Sequence, residues 1–360
     1  MAIGEEPTRR HQAQTGATTV RRVGRRPERV TTAQPPDIFH VARDEDYLRK
    51  LQEEAEFWDS RPDTLLSKTP GPRVLQYQNE RLTGDHNRQW FEVIGEYGEY
   101  KRGCVLGAGP GDVESILLDQ HDQLHLTVYD ISREALARLQ ARLEQEFPGR
   151  TEIREDDLNF VTLPANTYDL LVSHSCMHHI LNLEHLAFQI NQCLTSDGYF
   201  FMKDTVGESY FQFSDEKKRL VQAFRNATHD NPGPHTRIQW ADRNDWPYSP
   251  FESARSGEIL EVFARYLDEV QVRTASAFLQ LALSGVPPKP SRARSAIFRI
   301  RGMGRVLRAA RAVREKLLKP KVNSTRAYAR GELRYMLDRI LCDTGYLKPG
   351  TAFAIYQKRH

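Results

Sequence analysis

The 360-residue chain has few cysteines and no long apolar run. Its four cysteines are far apart and form no C-x-x-C pair, which argues against a zinc knuckle or a disulfide framework and fits a reducing compartment. No run of about eighteen apolar residues is present, as a membrane-spanning helix requires. The amino-terminal region lacks the apolar core of a secretory signal and carries Glu5 and Glu6, which transit peptides avoid. We therefore expect a cytoplasmic protein.

Net charge is small but unevenly distributed. The formal charge is +3, and 28% of the residues are charged. Residues 285–330 contain fourteen Lys or Arg and one acid, a local charge of +13, and residues 1–36 carry +4. The remainder is therefore strongly acidic. An acidic body with two basic appendages is indicated, and the polar, aperiodic stretch 1–36 is predicted to be a disordered tail.

Hydrophobic periodicity divides the rest of the chain. Residues 37–100 are predicted to be a helical cap with helices over 44–58 and 89–97, ahead of a core at 101–284. After a basic insertion at 285–324, residues 325–360 return to the core as a helix and a last strand. Repeated strand–helix units predict an α/β fold, a Rossmann-like doubly wound sheet of about seven strands. The predicted strands are 103–106, 124–129, 151–154, 168–173, 199–203, 269–274 and 351–357.

The basic insertion has apolar residues three or four positions apart over 285–322, with arginines between them. This pattern predicts a basic amphipathic helix. Three interpretations remain open: a solvated helix packed on the acidic body, a peripheral contact with an anionic membrane or a lipid-linked substrate, and RNA binding. Nucleic acid ranks last, because interleaved aromatic residues and RNA-binding motifs are missing.

A glycine-rich turn, Gly103-Cys-Val-Leu-Gly-Ala-Gly-Pro-Gly-Asp112, joins the first predicted strand to a helix. Glycines let a backbone turn sharply and approach a ligand closely. In dinucleotide-binding proteins the pattern is G-x-G-x-x-G. Here the third glycine comes one residue early and Asp112 fills the later position, where its charge would repel a pyrophosphate. The spacing thus favours a methyltransferase over a dehydrogenase.

Asp130 ends the second predicted strand, nineteen residues after Gly111. An acid at this position can accept hydrogen bonds from both ribose hydroxyls of a nucleoside. The alternative is that Asp130 caps the helix beginning near Ser132, a role that Ser132 itself could fill.

Five segments occur along the chain in the order GCVLGAGPGD, VYDIS, EDDLN, YDLLVSHSCMHHI and LTSDGYFFMKDTVGE. In these segments the chain resembles class I S-adenosylmethionine-dependent methyltransferases, over about residues 100–280 and in the last strand. Its later part, with FESARSGEIL at 251–260, resembles a bacterial subgroup associated with small molecules and glycans. The resemblance implies S-adenosyl-L-methionine as cofactor. It implies that the glycine loop holds the methionine part, that Asp130 binds ribose, and that Asp157, with Asp156 beside it, reaches the adenine edge. One departure is Val105, where many members carry an acid. The implied cofactor-binding residues are Gly107, Ala108, Gly109, Gly111, Asp130, Ile131, Asp156, Asp157 and Ser173.

The loop after the fourth strand, residues 173–179, is expected to lie where methyl group and acceptor meet. His178 or His179 could accept a hydroxyl proton, although such histidines often only pack beneath the cofactor. A metal held by His174, His178 and His179 is not expected, because no acid stands at ligand spacing beside them. Asp204 and Glu208 are candidate catalytic residues or loop hydrogen-bond partners. Glu252 and Arg255 are candidate substrate-binding residues, with an internal ion pair of Arg255 to Glu252 or Glu258 as the alternative.

The absence of two sequence motifs argues against two classes of methyl acceptor. The chain has neither an Asn/Asp-Pro-Pro-Tyr motif nor a Pro-Cys pair, so exocyclic amines of bases and C5 of pyrimidines are not expected acceptors. We expect methylation of a small molecule or glycan at a hydroxyl oxygen. The alternatives are an RNA methyltransferase that uses the basic segments and a non-catalytic scaffold with the same fold. The oligomeric state is not specified by the sequence.

Overall fold

A computed structural model describes residues 38–60, 72–108, 112–228, 233, 237–238, 240, 242, 248–279 and 324–360. The predicted tail at 1–36 and almost the whole basic insertion, with its three interpretations, lie outside these residues. Within them, no helix is long and apolar enough to cross a membrane.

The described residues form one seven-stranded sheet in the order β3-β2-β1-β4-β5-β7-β6. The five strands from β3 to β5 are parallel, and β7 runs antiparallel between β5 and β6. In the centre, Val105 of β1 pairs with Val128 of β2 and Val172 of β4. These apolar runs suit a sheet covered on both faces. The strands are β1 (Arg102–Leu106), β2 (His125–Asp130), β3 (Thr151–Glu155), β4 (Tyr168–His174), β5 (Leu194–Thr205), β6 (Leu267–Ala275) and β7 (Thr351–Lys358).

Helices cover both faces of this sheet, with one hydrophobic cluster on each side. One cluster includes apolar residues of α5 and α7, and the other includes those of α3, α4 and the 3-10 helix Trp90–Glu96. A third cluster joins α6 to α8. The α-helices are α1 (Glu45–Asp59), α2 (Pro72–Thr83), α3 (Asp112–Gln120), α4 (Arg133–Glu146), α5 (Leu183–Cys193), α6 (Asp215–Thr228), α7 (Ile259–Tyr266) and α8 (Ser324–Asp343).

The predicted fold class is confirmed by this sheet. The predicted helical segment at 89–97 is a 3-10 helix over Trp90–Glu96, and a 3-10 turn at Ser256–Glu258 precedes α7. Helix α2 was not predicted. It begins at Pro72, a favoured first helical residue.

Helix α1 crosses the edge formed by the carboxyl ends of the parallel strands. Asp44 caps its first turn by accepting the Tyr47 N–H at 2.9 Å. Tyr47 donates its hydroxyl to Asp157, just after β3, at 2.8 Å. At the other end Asp59 accepts the Ser132 hydroxyl, just after β2. The helix therefore lies over the edge where ligands of open α/β sheets bind.

Candidate active site

Gly107 forms the turn that follows β1 at this edge of the sheet. Its φ is +85°, and its N–H donates to the Tyr129 carbonyl of β2 at 2.9 Å. A Cβ at this position would lie 2.5 Å from both Cβ and Sγ of Cys176, in the loop after β4. Glycine is thus required twice, for the backbone angle and for the close approach of two loops. Gly109 and Gly111 lie outside the described residues.

Asp130 organises the start of the glycine loop. One carboxylate oxygen accepts the Ala108 N–H at 2.8 Å, and the other accepts the Ser132 N–H at 2.8 Å. Ser132 caps α4 by accepting the Ala135 N–H, so the capping alternative for Asp130 is not needed. Asp130 and the following Ile131 are only half-buried. The carboxylate therefore remains partly accessible at the carboxyl end of β2, where a ribose would be expected.

The two aspartates after β3 differ in exposure. Asp157 is 5% exposed, and its oxygens accept from the Tyr47 hydroxyl and from the backbone N–H and side-chain amide of Asn159. Asp156 is exposed and accepts the Asp157 N–H. The expectation that Asp157 leads and Asp156 assists at an adenine edge does not fit this arrangement, because Asp157 is already engaged by α1. Asp156 is the accessible carboxylate.

Ser173 and His174 end β4 but face different surroundings. Ser173 is fully buried, and its hydroxyl donates to the Leu106 carbonyl of β1 at 3.1 Å, so it fixes the two central strands to each other. The His174 ring lies 5.2 Å from the Trp90 ring. Burial, helped by Lys203, lowers the pKa of His174 to about 3. His174 is therefore a neutral packing residue.

His178 is held by Asp204 at the end of β5. Its Nδ1 lies 2.6 Å from Asp204 Oδ1, and its Nε2 lies 3.6 Å from Glu252 Oε1. Asp204 is 1% exposed, and it also accepts the backbone N–H groups of Cys176, Met177 and Thr205. Asp204 thus both shapes the loop after β4 and orients the imidazole of His178.

His179 lies between Glu252 and Glu54, a residue of the helical cap, just as His178 lies between Glu252 and Asp204. Its Nδ1 lies 3.0 Å from Glu54 Oε1 of α1, and its Nε2 lies 3.9 Å from Glu252 Oε2. Glu54 is 1% exposed and also accepts the Trp58 indole N–H and the Phe251 N–H. The Trp58 ring meets the His179 ring edge-on at 5.4 Å. We call His178, His179, Glu252, Asp204 and Glu54 the histidine–carboxylate cluster.

Charges within this cluster support each other. Burial would lower the pKa of His178, but the Asp204 carboxylate, with Glu252, outweighs it and raises the pKa to about 10. Burial would raise the pKa values of Asp204, Glu252 and Glu54, yet the neighbouring histidines hold all three below their usual range, helped at Asp204 and Glu54 by backbone N–H donors. The cluster therefore holds ionised carboxylates around a cationic His178 at neutral pH.

The structure corrects the argument made from the sequence about a metal. No acid is close to these histidines in sequence, but Glu252 is folded against both of them, so that His178, His179 and Glu252 bring ligand atoms within 4.8 Å of one another. His174 is not part of this group.

Two other sequence-predicted residues are engaged elsewhere. Glu208 accepts the buried Lys217 ammonium at 2.9 and 3.0 Å. The Arg255 guanidinium, on a residue 6% exposed, pairs with Glu184 and Glu258 and donates to the Leu181 carbonyl. Glu208 is therefore an ion-pair partner and Arg255 a structural cation, as in the internal ion-pair alternative, but with Glu184 in place of Glu252.

The contribution of α1 to the site was not foreseen from the sequence. Its amphipathic pattern predicts a packing face with Tyr47, Leu48, Leu51, Ala55 and Trp58, of which Leu48 is exposed in the structure. Glu54 falls on that same face, three residues after Leu51 and four before Trp58. A carboxylate within an apolar stripe is the signal that would have identified it, because buried acids require partners.

S-adenosylmethionine fits the edge between β1, β2 and β3 by the chemistry of the groups present. Partly exposed Asp130 suits ribose hydroxyls, exposed Asp156 suits an amino group of adenine, and Gly107 lets the turn after β1 lie close to the loop after β4. His178 of the histidine–carboxylate cluster comes three residues after Ser175, in the loop after β4. The same loop lies against Gly107 through Cys176.

Residues 105–200 match a family model described as a methyltransferase domain. No curated protein matches the chain significantly. Solved structures that are similar include geranyl diphosphate C-methyltransferase from Streptomyces coelicolor (8% identity, TM-score 0.45, 86% of this chain and 98% of that one). The N-methyltransferase NodS from Bradyrhizobium japonicum has 15% identity and a TM-score of 0.39 over 64% and 90% of the two chains. Phosphoethanolamine N-methyltransferase 2 from Haemonchus contortus has 15% identity and a TM-score of 0.40 over 83% and 60%.

These structures are similar in outline only. The family match covers β1 to the middle of β5, which includes the Gly107 turn, Asp130 and the two histidines of the cluster. The remaining strands complete the sheet order described above. Residues 105–200 therefore match a methyltransferase domain, and they lie within a Rossmann-like seven-stranded sheet.

Proposed function

We propose that this enzyme transfers the methyl group of S-adenosylmethionine to a hydroxyl oxygen of a small molecule or glycan. The observation that carries the proposal is the position of the histidine–carboxylate cluster. It follows β4, beside the Gly107 turn, at the same edge of the sheet as Asp130. Asp130 would hold the ribose of the cofactor, at the same edge of the sheet as this loop.

When bound, S-adenosylmethionine supplies an already activated methyl group, so the protein chiefly has to position donor and acceptor. Glu252 is 16% exposed at its side chain and ionised, and it can accept a hydrogen bond from an acceptor hydroxyl. His178 Nε2, 3.6 Å from Glu252 Oε1, can contact the same oxygen. Behind this contact Asp204 holds the His178 ring by a hydrogen bond, and Glu54 lies against the His179 ring.

The position of the helical cap favours a small acceptor over a polymer, because a polymer would have to lie in an open cleft. Helix α1 reaches the ends of β2, β3 and the loop after β4 through Asp59, Tyr47 and Glu54. These contacts cover the cluster, whose side chains are at most 16% exposed. A cytoplasmic location, which four scattered cysteines favour, remains part of the proposal.

Calorimetric titration with S-adenosylmethionine and S-adenosylhomocysteine tests the cofactor site. We expect binding by the wild type and a loss of tenfold or more in Asp130→Asn, since each hydrogen bond to a charged group contributes roughly 1.5–3 kcal/mol. Asp197→Asn is the matched control, because Asp197 is exposed at the opposite end of the sheet. A folded wild type that binds neither compound would refute the proposal and favour a scaffold.

A screen of acceptors tests the second part of the proposal, which is methyl transfer to a hydroxyl oxygen. The wild type is incubated with labelled S-adenosylmethionine and a panel of hydroxylated glycans and small aromatic or aliphatic alcohols, with amines and RNA as comparison acceptors. Transfer to an alcohol that is lost in Glu252→Gln supports the proposal. Transfer only to amines or to RNA would contradict it.

A further inference from the structure

We propose that His178, His179 and Glu252 bind one divalent transition-metal ion, such as Zn²⁺. One ligand atom from each of the three residues lies within 4.8 Å of the other two. This inference deepens the proposed function, because the ion would present an open position to the acceptor oxygen. It is tested by metal binding itself, so it can fail while cofactor binding succeeds.

The orientation of the two imidazole rings is the first argument. Each ring has its Nδ1 next to a buried carboxylate, Asp204 at 2.6 Å and Glu54 at 3.0 Å. Each ring then has its Nε2 directed at Glu252, at 3.6 and 3.9 Å. The Asp204 contact is a hydrogen bond of the kind that fixes the tautomer and orientation of metal-ligating histidines, whereas the Glu54 contact is an ion-pair distance without hydrogen-bond geometry.

The distances leave room for an ion. Ligands about 2.0–2.1 Å from a tetrahedral ion lie roughly 3.3 Å from one another. The two Nε2-to-carboxylate separations exceed this by a few tenths of an ångström, a change that side-chain rotation of Glu252 can absorb. Direct hydrogen bonds between these groups would instead require about 2.7–2.9 Å. The gap is therefore too wide for a good ion pair and close to that of a coordination shell.

Charge is the third argument. Three carboxylates, Asp204, Glu54 and Glu252, surround the two rings, and the side chains of Asp204 and Glu54 are at most 2% exposed. These three carboxylates carry more negative charge than the one protonated ring of His178 can balance, and uncompensated charge is costly to bury. A divalent cation between the rings and Glu252 would take the place of the His178 proton and compensate two of the three carboxylates.

The donor set selects the kind of metal. Two imidazole nitrogens and one carboxylate suit zinc and related first-row ions, whereas Ca²⁺ and Mg²⁺ prefer oxygen ligands. Three protein ligands leave a coordination position open, as in catalytic rather than structural zinc sites. An acceptor hydroxyl bound there would lose its proton more readily.

The test uses the purified full-length chain after treatment with a chelator and dialysis. Zn²⁺ is titrated calorimetrically, and Co²⁺ is added to a second sample while its visible absorption is recorded. We expect one Zn²⁺ per chain and a Co²⁺ spectrum of a low-coordinate site that Zn²⁺ abolishes. In Glu252→Gln and His179→Gln, affinity should fall at least tenfold.

The matched control is His125→Gln, because His125 is exposed and far from the cluster in the fold; it should bind Zn²⁺ as the wild type does. Circular dichroism checks that each variant is folded. Should the cluster variants fail to fold, the wild-type stoichiometry and Co²⁺ spectrum decide. A wild type that binds neither ion, or a Glu252→Gln variant that binds Zn²⁺ unchanged, would show that the cluster is an ion-pair network only.

Discussion

Replacing Asp204 by asparagine should destabilise the protein more than any other single change at the site. Asp204 is 1% exposed, and its two oxygens accept three backbone N–H groups and the His178 ring. Asparagine keeps one oxygen and turns the other acceptor into an NH₂ group that faces two donors. His178 also loses the charge that holds its proton.

Removing one partner of a buried ion pair costs about 3–5 kcal/mol in the free energy of unfolding. Total stabilities are about 5–15 kcal/mol, so this is a large fraction. The pKa of His178 is about 10 in the fold, well above its ordinary value of 6.5. The stabilisation from its proton is complete below about pH 6.5 and is lost as pH rises through the folded pKa. The penalty of Asp204→Asn should therefore be largest near pH 6 and smaller near pH 9.5.

Urea denaturation followed by circular dichroism measures this penalty at both pH values, with a chelator present to exclude metal effects. Asp197→Asn, an exposed change of the same chemistry, should shift the free energy of unfolding by less than about 0.5 kcal/mol. A cost of Asp204→Asn below about 1 kcal/mol at pH 6, or a cost that does not depend on pH, would contradict a charged Asp204–His178 pair in the fold.

Three further variants test buried or closely packed residues of the structure. Gly107→Ala should cost about 2–4 kcal/mol in unfolding free energy and abolish cofactor binding, because a Cβ at φ +85° would meet Cys176 at 2.5 Å. Burial raises the pKa of Glu114 to about 8, so its protonated form is favoured in the fold and stability falls as pH rises from about 4.5 to 8. Glu114→Gln should match the wild type at pH 5 and exceed it by a few kcal/mol at pH 8.5 in urea denaturation. Tyr47→Phe should cost about 1.5–3 kcal/mol and weaken binding of S-adenosylhomocysteine, since Asp157 loses a buried donor at 2.8 Å.

Each variant has an internal comparison. Gly149 also has a positive φ of +69°, but a Cβ there would meet nothing within 4 Å, so Gly149→Ala should cost only about 1 kcal/mol. Equal costs at the two glycines would contradict the close approach to Cys176. An exposed tyrosine provides the comparison for Tyr47: Tyr346→Phe should change stability by less than about 0.5 kcal/mol. A Glu114→Gln variant whose stability follows the wild type at every pH would contradict the buried, protonated carboxyl.

Local patterns in the sequence predicted the fold with few errors. Alternation of apolar strands and amphipathic helices gives the seven strands and most helices, because these periodicities depend on which face of each element is buried. The Gly107 turn and Asp130 follow from backbone and hydrogen-bonding chemistry that is also local. Helix α2 was missed: its start at Pro72 follows Pro70 and Gly71 in the sequence, residue types that usually interrupt a helix.

The cluster could not be predicted in this way. Glu54, His178, Asp204 and Glu252 come from the cap, the loop after β4, the end of β5 and the segment before α7, separated by up to 198 residues in the chain. The sequence by itself determined which groups are available and which strand ends carry them. Only the tertiary structure decided which groups meet: it joins Glu252 and Glu54 to the histidines and gives Arg255 and Glu208 to internal ion pairs. The physical reason is that side-chain proximity across elements depends on how packed faces fit together, and no local periodicity records that fit.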